Sequence, residues 1–183
     1  MRISDDRYSR ERLRMELALR FLRHEARTQT IRAWTGLSDD RIRKLYRSYL
    51  SQAHRQMPRH RGKSPHQVAY FTRSQQLQLE SAVLASMLSL LGVIPPPAPG
   101  AATAALPGLA RGASLCAAFE AYRTLVPAAQ ISFEHAVFLA SALSRGDQLR
   151  LGGCAGCGCV IVTERFPARD QRCHLCAQLA RSH

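Results

Sequence analysis

The sequence predicts a mainly α-helical chain: a helical bundle containing a helix-turn-helix-like unit, followed by a C-terminal four-cysteine zinc-ribbon-like unit. Two observations carry the helical part. Apolar residues recur at helical spacing over most of the first 144 positions, and Gly36 interrupts that rhythm between two periodic stretches. The third observation is cysteine crowding. Five of the six cysteines, Cys154, Cys157, Cys159, Cys173 and Cys176, fall within the 23 residues 154–176.

The elements follow in order. From about residue 10 to Trp34, Leu13, Leu17 and Phe21 and then Met15, Leu19 and Leu22 repeat at helical spacing, with arginines on the other faces. Ser38 stands where an N-cap would, with Asp39 and Asp40 in the first turn, where carboxylates favour the positive end of the helix dipole. Ile42, Leu45, Tyr46, Tyr49 and Leu50 form one apolar stripe, so a second helix is expected over about 39–52. Residues 54–66, HRQMPRHRGKSPH, read as a basic loop, and a third helix is expected over about 67–91, ending at Gly92. The Pro-, Ala- and Gly-rich stretch 93–113 reads as a linker. Two shorter helices are expected over about 114–125 and 130–144, and Val160–Thr163 is β-prone. These elements suggest an N-terminal helical DNA-binding region (1–92), the linker (93–113), a helical pair (114–148) and a zinc-binding unit (149–183).

Charge narrows the function class. There are 26 Lys and Arg against 13 Asp and Glu, giving a formal net charge of +13 and a pI near 10.5. The excess is uneven: +7 over residues 35–79, with no acid between Asp40 and Glu80, and zero over residues 80–150. Nucleic acid is therefore the leading partner, and the neutral stretch suits a core or an oligomer surface. The opening MRISDDRYSRERLRMELALRF has charges throughout and no apolar h-region, and the apolar run Ala82–Ile94 is broken by Ser86, Ser89 and Gly92. A cytoplasmic chain with reduced cysteines is expected.

The cysteines have the spacing of a metal site. C-A-G-C at 154–157 and C-H-L-C at 173–176 are separated by fifteen residues, the pattern of a four-thiolate zinc site. Two thiolates from one tight turn span one edge of a tetrahedron, and the second turn supplies the opposite edge. Gly156 and Gly158 allow the first knuckle to fold back on the ion. One structural zinc held by Cys154, Cys157, Cys173 and Cys176 is expected, because four thiolates leave no open position for water. Cys159 and His174 compete for ligation: Cys159 could replace Cys157, but a C-x-C pair is the poorer match, so it reads as a spare thiol and His174 as outward-pointing, while Cys116 reads as a helix-core residue beside Leu115 and Phe119.

Helix, Gly-containing turn and helix around Gly36 outline a helix-turn-helix. The apolar stripe of the second helix leaves Arg41, Arg43, Lys44 and Arg47 free to meet a major groove or its phosphates. Arg55, Arg59, Arg61 and Lys63 of the following loop add to that surface. The plain alternative is a solvated basic helix face. His24-Glu25 lacks the second His of H-E-x-x-H, and the chain carries no Walker loop and no G-x-G-x-x-G. It is read as a non-enzyme.

The segments M-E-L-A-L-R-F-L-R-H-E-A-R-T-Q-T-I (15–31) and L-S-D-D-R-I-R-K-L-Y-R (37–47), together with AYRTLV (121–126), resemble the flagellar transcriptional activator FlhC family. The paired cysteines lie where that family has its zinc site. The resemblance implies a helical DNA-binding activator of flagellar genes that acts in a hetero-oligomer with FlhD, with two copies of this chain, and recruits RNA polymerase at double-stranded promoter DNA. The alternative reading is an RNA-binding or ribosome-associated zinc-ribbon protein, since cationic charge and a thiolate site serve RNA equally.

Overall fold

The structure is a computed structural model, and it describes residues 3–49, 64–94, 107–165 and 171–180. It divides into two compact units, Met1–Ser64 with Ala105–Cys116, and Pro65–Ala104 with Ala117–His183. Among the described residues the chain is mainly helical, with one two-stranded sheet.

In the first unit, α1 runs Ile3–Arg23, α2 runs Thr28–Thr35 and α3 runs Asp39–Tyr49. The single helix expected over 10–34 is therefore two. Glu25 takes the left-handed conformation at φ 60°, the Glu25 N–H donates to the Leu22 carbonyl, and the Ala26 N–H donates to the Phe21 carbonyl. This is a Schellman cap with glutamate where glycine usually stands, so no sequence signal announces it. The turn folds α2 back on α1. The Phe21 and Trp34 rings then sit 5.9 Å apart, tilted, in a core with Leu17, Leu22, Ile31 and Leu37.

Gly36 caps α2 in the left-handed region at φ 70°, and its N–H donates to the Arg32 carbonyl. Ser38 starts α3 as expected: its Oγ accepts the Arg41 N–H at 3.5 Å. Ile42 and Leu45 are buried, whereas Tyr49 is exposed. The expected stripe thus ends a turn early among the described residues, and Leu50 lies outside them.

The predicted linker 93–113 also needs correction at both ends. Val93 and Ile94 are buried, and α5 begins at Leu109 and runs to Leu125. Residues 95–106 lie outside the described residues. Gly112, which looks like a linker residue in sequence, is a packing residue. A Cβ there would come within 2.7 Å of Leu17 Cδ2 and 3.2 Å of Trp34 Cε3. Only a glycine lets α5 approach that close.

The second unit contains a 3-10 turn (Val68–Phe71), α4 (Gln75–Leu90), the last turns of α5, α6 (Phe133–Arg145), β1 (Leu149–Gly153), β2 (Val160–Glu164) and α7 (His174–Leu179). The helix expected over 67–91 is split by Ser74, which N-caps α4 by accepting the Leu77 N–H at 3.2 Å. The β-prone run pairs antiparallel with β1, Leu151 opposite Val162. α4 packs on β2 and α7, and α6 packs on β1. The cysteine-bearing segment is therefore built onto α4 and α6, where the sequence suggested a separate 149–183 unit.

One polar group lies deep in this unit. Glu80 of α4 is fully buried. Its Oε2 accepts the Tyr122 hydroxyl at 2.5 Å and the Gln130 N–H at 2.8 Å, and its Oε1 accepts Gln76 Nε2 at 2.8 Å. Burial alone would raise its pKa. The Tyr122 hydroxyl, the Gln76 amide and the Gln130 and Ile131 N–H groups outweigh that and hold it below the usual carboxylate value.

Candidate metal centre

The first knuckle grows out of the β1–β2 hairpin. The Cys154 N–H donates to the Cys159 carbonyl at 2.8 Å and the Gly158 N–H to the Cys154 carbonyl at 2.8 Å. Gly158 sits at φ +72°, so the chain reverses inside four residues. The second knuckle is the start of α7. There the Cys173 side chain caps the helix by accepting the Cys176 N–H at 3.5 Å.

Two contacts from outside the cysteines hold the knuckles in place. The Ala155 N–H donates to the Gln171 carbonyl at 2.7 Å, and the His174 N–H donates to Gln78 Oε1 of α4 at 2.8 Å. Neither Gln171 nor Gln78 carried a sequence signal, because a backbone carbonyl and a single side-chain amide follow no motif. His174 is exposed, as expected, and Cys116 is buried.

The sulfurs of Cys154, Cys157, Cys173 and Cys176 all lie within 4.8 Å of one another, and the four residues could hold a metal ion. Cys157 Sγ and Cys173 Sγ are 3.7 Å apart. Gly156 is required here: a Cβ would meet Cys176 Sγ at 2.9 Å and Cys176 Cβ at 3.0 Å.

Backbone N–H groups from Cys173 and Cys157 point at Cys154, with Gly156 adding a third, and pull its thiol down to about 5. Cys157 is lowered by the Cys159 N–H and thiol. Cys176 is pushed up to about 12 by its hydrogen bonds to Cys173 and Cys157. The pocket thus favours negative sulfur in one corner and keeps a proton in another. An entering cation would replace that proton, as thiolate ligation requires.

The structure also places the predicted basic residues of α3. Arg41, Arg43, Lys44 and Arg47 are all exposed; Arg43, Lys44 and Arg47 lie on the side of the helix away from buried Ile42 and Leu45, and Arg41 lies at the edge of the buried face. Arg41 pairs with Glu11 of α1, and Arg43 Nη1 lies 3.1 Å from Asp40 Oδ1. Arg55, Arg59, Arg61 and Lys63 lie outside the described residues. Among the described residues, no helix is long and apolar enough to cross a membrane. No protein-family model matches this chain, and no curated protein matches it.

Proposed function

We propose that this chain is a zinc-bearing, DNA-binding transcription activator of the kind the FlhC resemblance implies, working at promoter DNA with an FlhD-type subunit and RNA polymerase. The observation that supports it is the α3 face. Three cations, Arg43, Lys44 and Arg47, project from a helix whose opposite side is pinned by Ile42 and Leu45, with exposed Arg41 at the flank, after a left-handed Gly36 turn. On binding, Arg41 and Arg43 would exchange Glu11 and Asp40 for phosphate oxygens. The exposed Arg43–Asp40 pair holds its arginine weakly, at roughly 0–1 kcal/mol, whereas Glu11 is half-buried.

The ion is zinc in this reading. Zinc–sulfur bonds of about 2.3 Å in a tetrahedron set neighbouring sulfurs about 3.8 Å apart, and the Cys157–Cys173 separation of 3.7 Å fits. Four thiolates close its shell, so the ion would fold and stiffen the C-terminal segment. Catalysis would need an open position.

The test is duplex binding by fluorescence anisotropy over a salt series, with and without FlhD. Affinity should fall steeply with salt. The Arg43→Ala and Lys44→Ala variants should each flatten the logarithmic salt slope by about one unit. Unchanged slopes in both would remove α3 from the interface. Equal affinity for single-stranded RNA would favour the RNA-binding alternative.

A further inference from the structure

Arg41 is held differently from its neighbour Arg43. Arg43 pairs within its own helix, with Asp40 one turn back, and the Asp40 side chain is 83% exposed. Arg41 reaches across to α1, where its Nη1 pairs with Glu11 Oε1. The Glu11 side chain is only 32% exposed, and Oε1 itself is closed to water and accepts no hydrogen bond. Arg14 Nη1 lies 3.7 Å from the other oxygen, Oε2. The Glu11 carboxylate thus stands between two guanidinium groups, one from each helix, and Arg41 faces the oxygen that water does not reach.

The two pairs respond differently to an approaching phosphate. When Arg43 turns away, water solvates the Asp40 carboxylate and little is lost. When Arg41 turns away, Glu11 Oε1 loses its compensating charge where hydration does not replace it. A phosphate oxygen on Arg41 would also stand beside the Glu11 carboxylate and be repelled by it. We propose that Glu11 is a built-in restraint on the α3 surface: it competes with nucleic-acid phosphate for Arg41 and so sets how tightly the chain grips a duplex. This inference rests on the α3 reading above. A purely scaffolding role, in which Glu11 only docks α3 onto α1, gives the opposite sign, because loosening α3 would weaken binding.

The experiment follows the anisotropy of a fluorescein-labelled, mixed-sequence DNA duplex titrated with the purified full chain over a salt series. Glu11→Gln keeps the shape of the side chain and removes its charge, and Glu11→Ala removes the side chain beyond Cβ. Both should tighten binding by about fivefold, the scale of one released ion pair. Glu16→Gln makes the same charge change on α1, where Glu16 pairs with exposed Arg12, and measures the background effect of one lost acid. The deciding measurement is the double variant: with Arg41→Ala in place, Glu11→Gln should lose its advantage over Glu16→Gln. No gain beyond Glu16→Gln, weaker binding by the Glu11 variants, or a gain that survives Arg41→Ala would each overturn the restraint while leaving the α3 reading intact. A natural chain that binds no duplex, or whose salt slope is unmoved by both Arg43→Ala and Lys44→Ala, would overturn that reading and the restraint with it.

Discussion

The α1–α3 cluster and the cysteine knuckles are both small, and different forces hold them. The first buries Leu17, Phe21, Leu22, Ile31, Trp34, Leu37, Ile42 and Leu45. In the second, Cys154 is the only buried residue of 154–159, and none of 171–180 is buried. One region is stabilised by removing apolar surface from water. The other leaves Leu175 and Leu179 exposed and is held by hydrogen bonds to sulfur, with four cysteines that could hold an ion. The contrast separates a cationic surface on an apolar core from a segment whose order would depend on an ion.

The largest effect that sharpens this contrast is metal removal. Thiolate–zinc binding contributes on the order of 10 kcal/mol to folding of such sites. Chelation, or Cys→Ser at any of Cys154, Cys157, Cys173 or Cys176, should abolish hydrogen-exchange protection across 154–159 and 171–180. Protection in α1–α3 should persist. Equal loss in both regions would break the comparison.

Phe21→Ala is the reciprocal change. It removes a fully buried ring packed against Trp34, at an expected cost of about 3–5 kcal/mol by denaturant unfolding. Metal stoichiometry should stay constant, and a variant that also lost its ion would argue against two independently held regions.

Glu80→Gln comes next. The carboxylate gathers α4, Tyr122 and the start of the α6 approach into one network, so the cost at neutral pH should be about 1.5–3 kcal/mol. Its folded pKa is depressed. Its contribution is therefore complete above the unfolded value of about 4.3 and is lost as pH falls through the folded one. Unfolding curves at pH 7 and in the acid range should show a smaller acid-side loss for the variant than for the natural chain.

Gly156→Ala is the mildest. The added methyl carbon meets Cys176 Sγ at 2.9 Å, an overpacking cost of about 1 kcal/mol. Competition against a chelating dye should register it as weaker metal binding with unchanged α-helical content.

The candidate site was largely legible. The two C-x2-C pairs named four sulfurs that the structure brings together, because a tight turn of two ligands is a local feature that spacing encodes. The helix breaks were legible at Gly36, Ser38 and Gly92, but not at Ser74, which caps α4 inside an otherwise helical pattern. The break at Glu25 was hidden, since a residue with a Cβ occupies a left-handed cap that tertiary packing enforces. Gly112 misled in the opposite sense. Its composition suggested a loop, while its lack of a side chain serves contact with Leu17 and Trp34.

From sequence alone came the helical periodicity, the uneven positive charge, the α3 cations and the ligand set, all properties of residue type and spacing. Tertiary structure decided which units those pieces belong to: that the knuckles are mounted on α4 and α6 through Gln78 and the β1–β2 hairpin, and that Glu80 is buried and fully hydrogen-bonded. The physical reason is range. Turns and amphipathic faces are set by neighbours a few residues apart, whereas contacts such as Glu80 with Tyr122 or Gln78 with His174 join residues distant in the chain, and only a packed core brings those together.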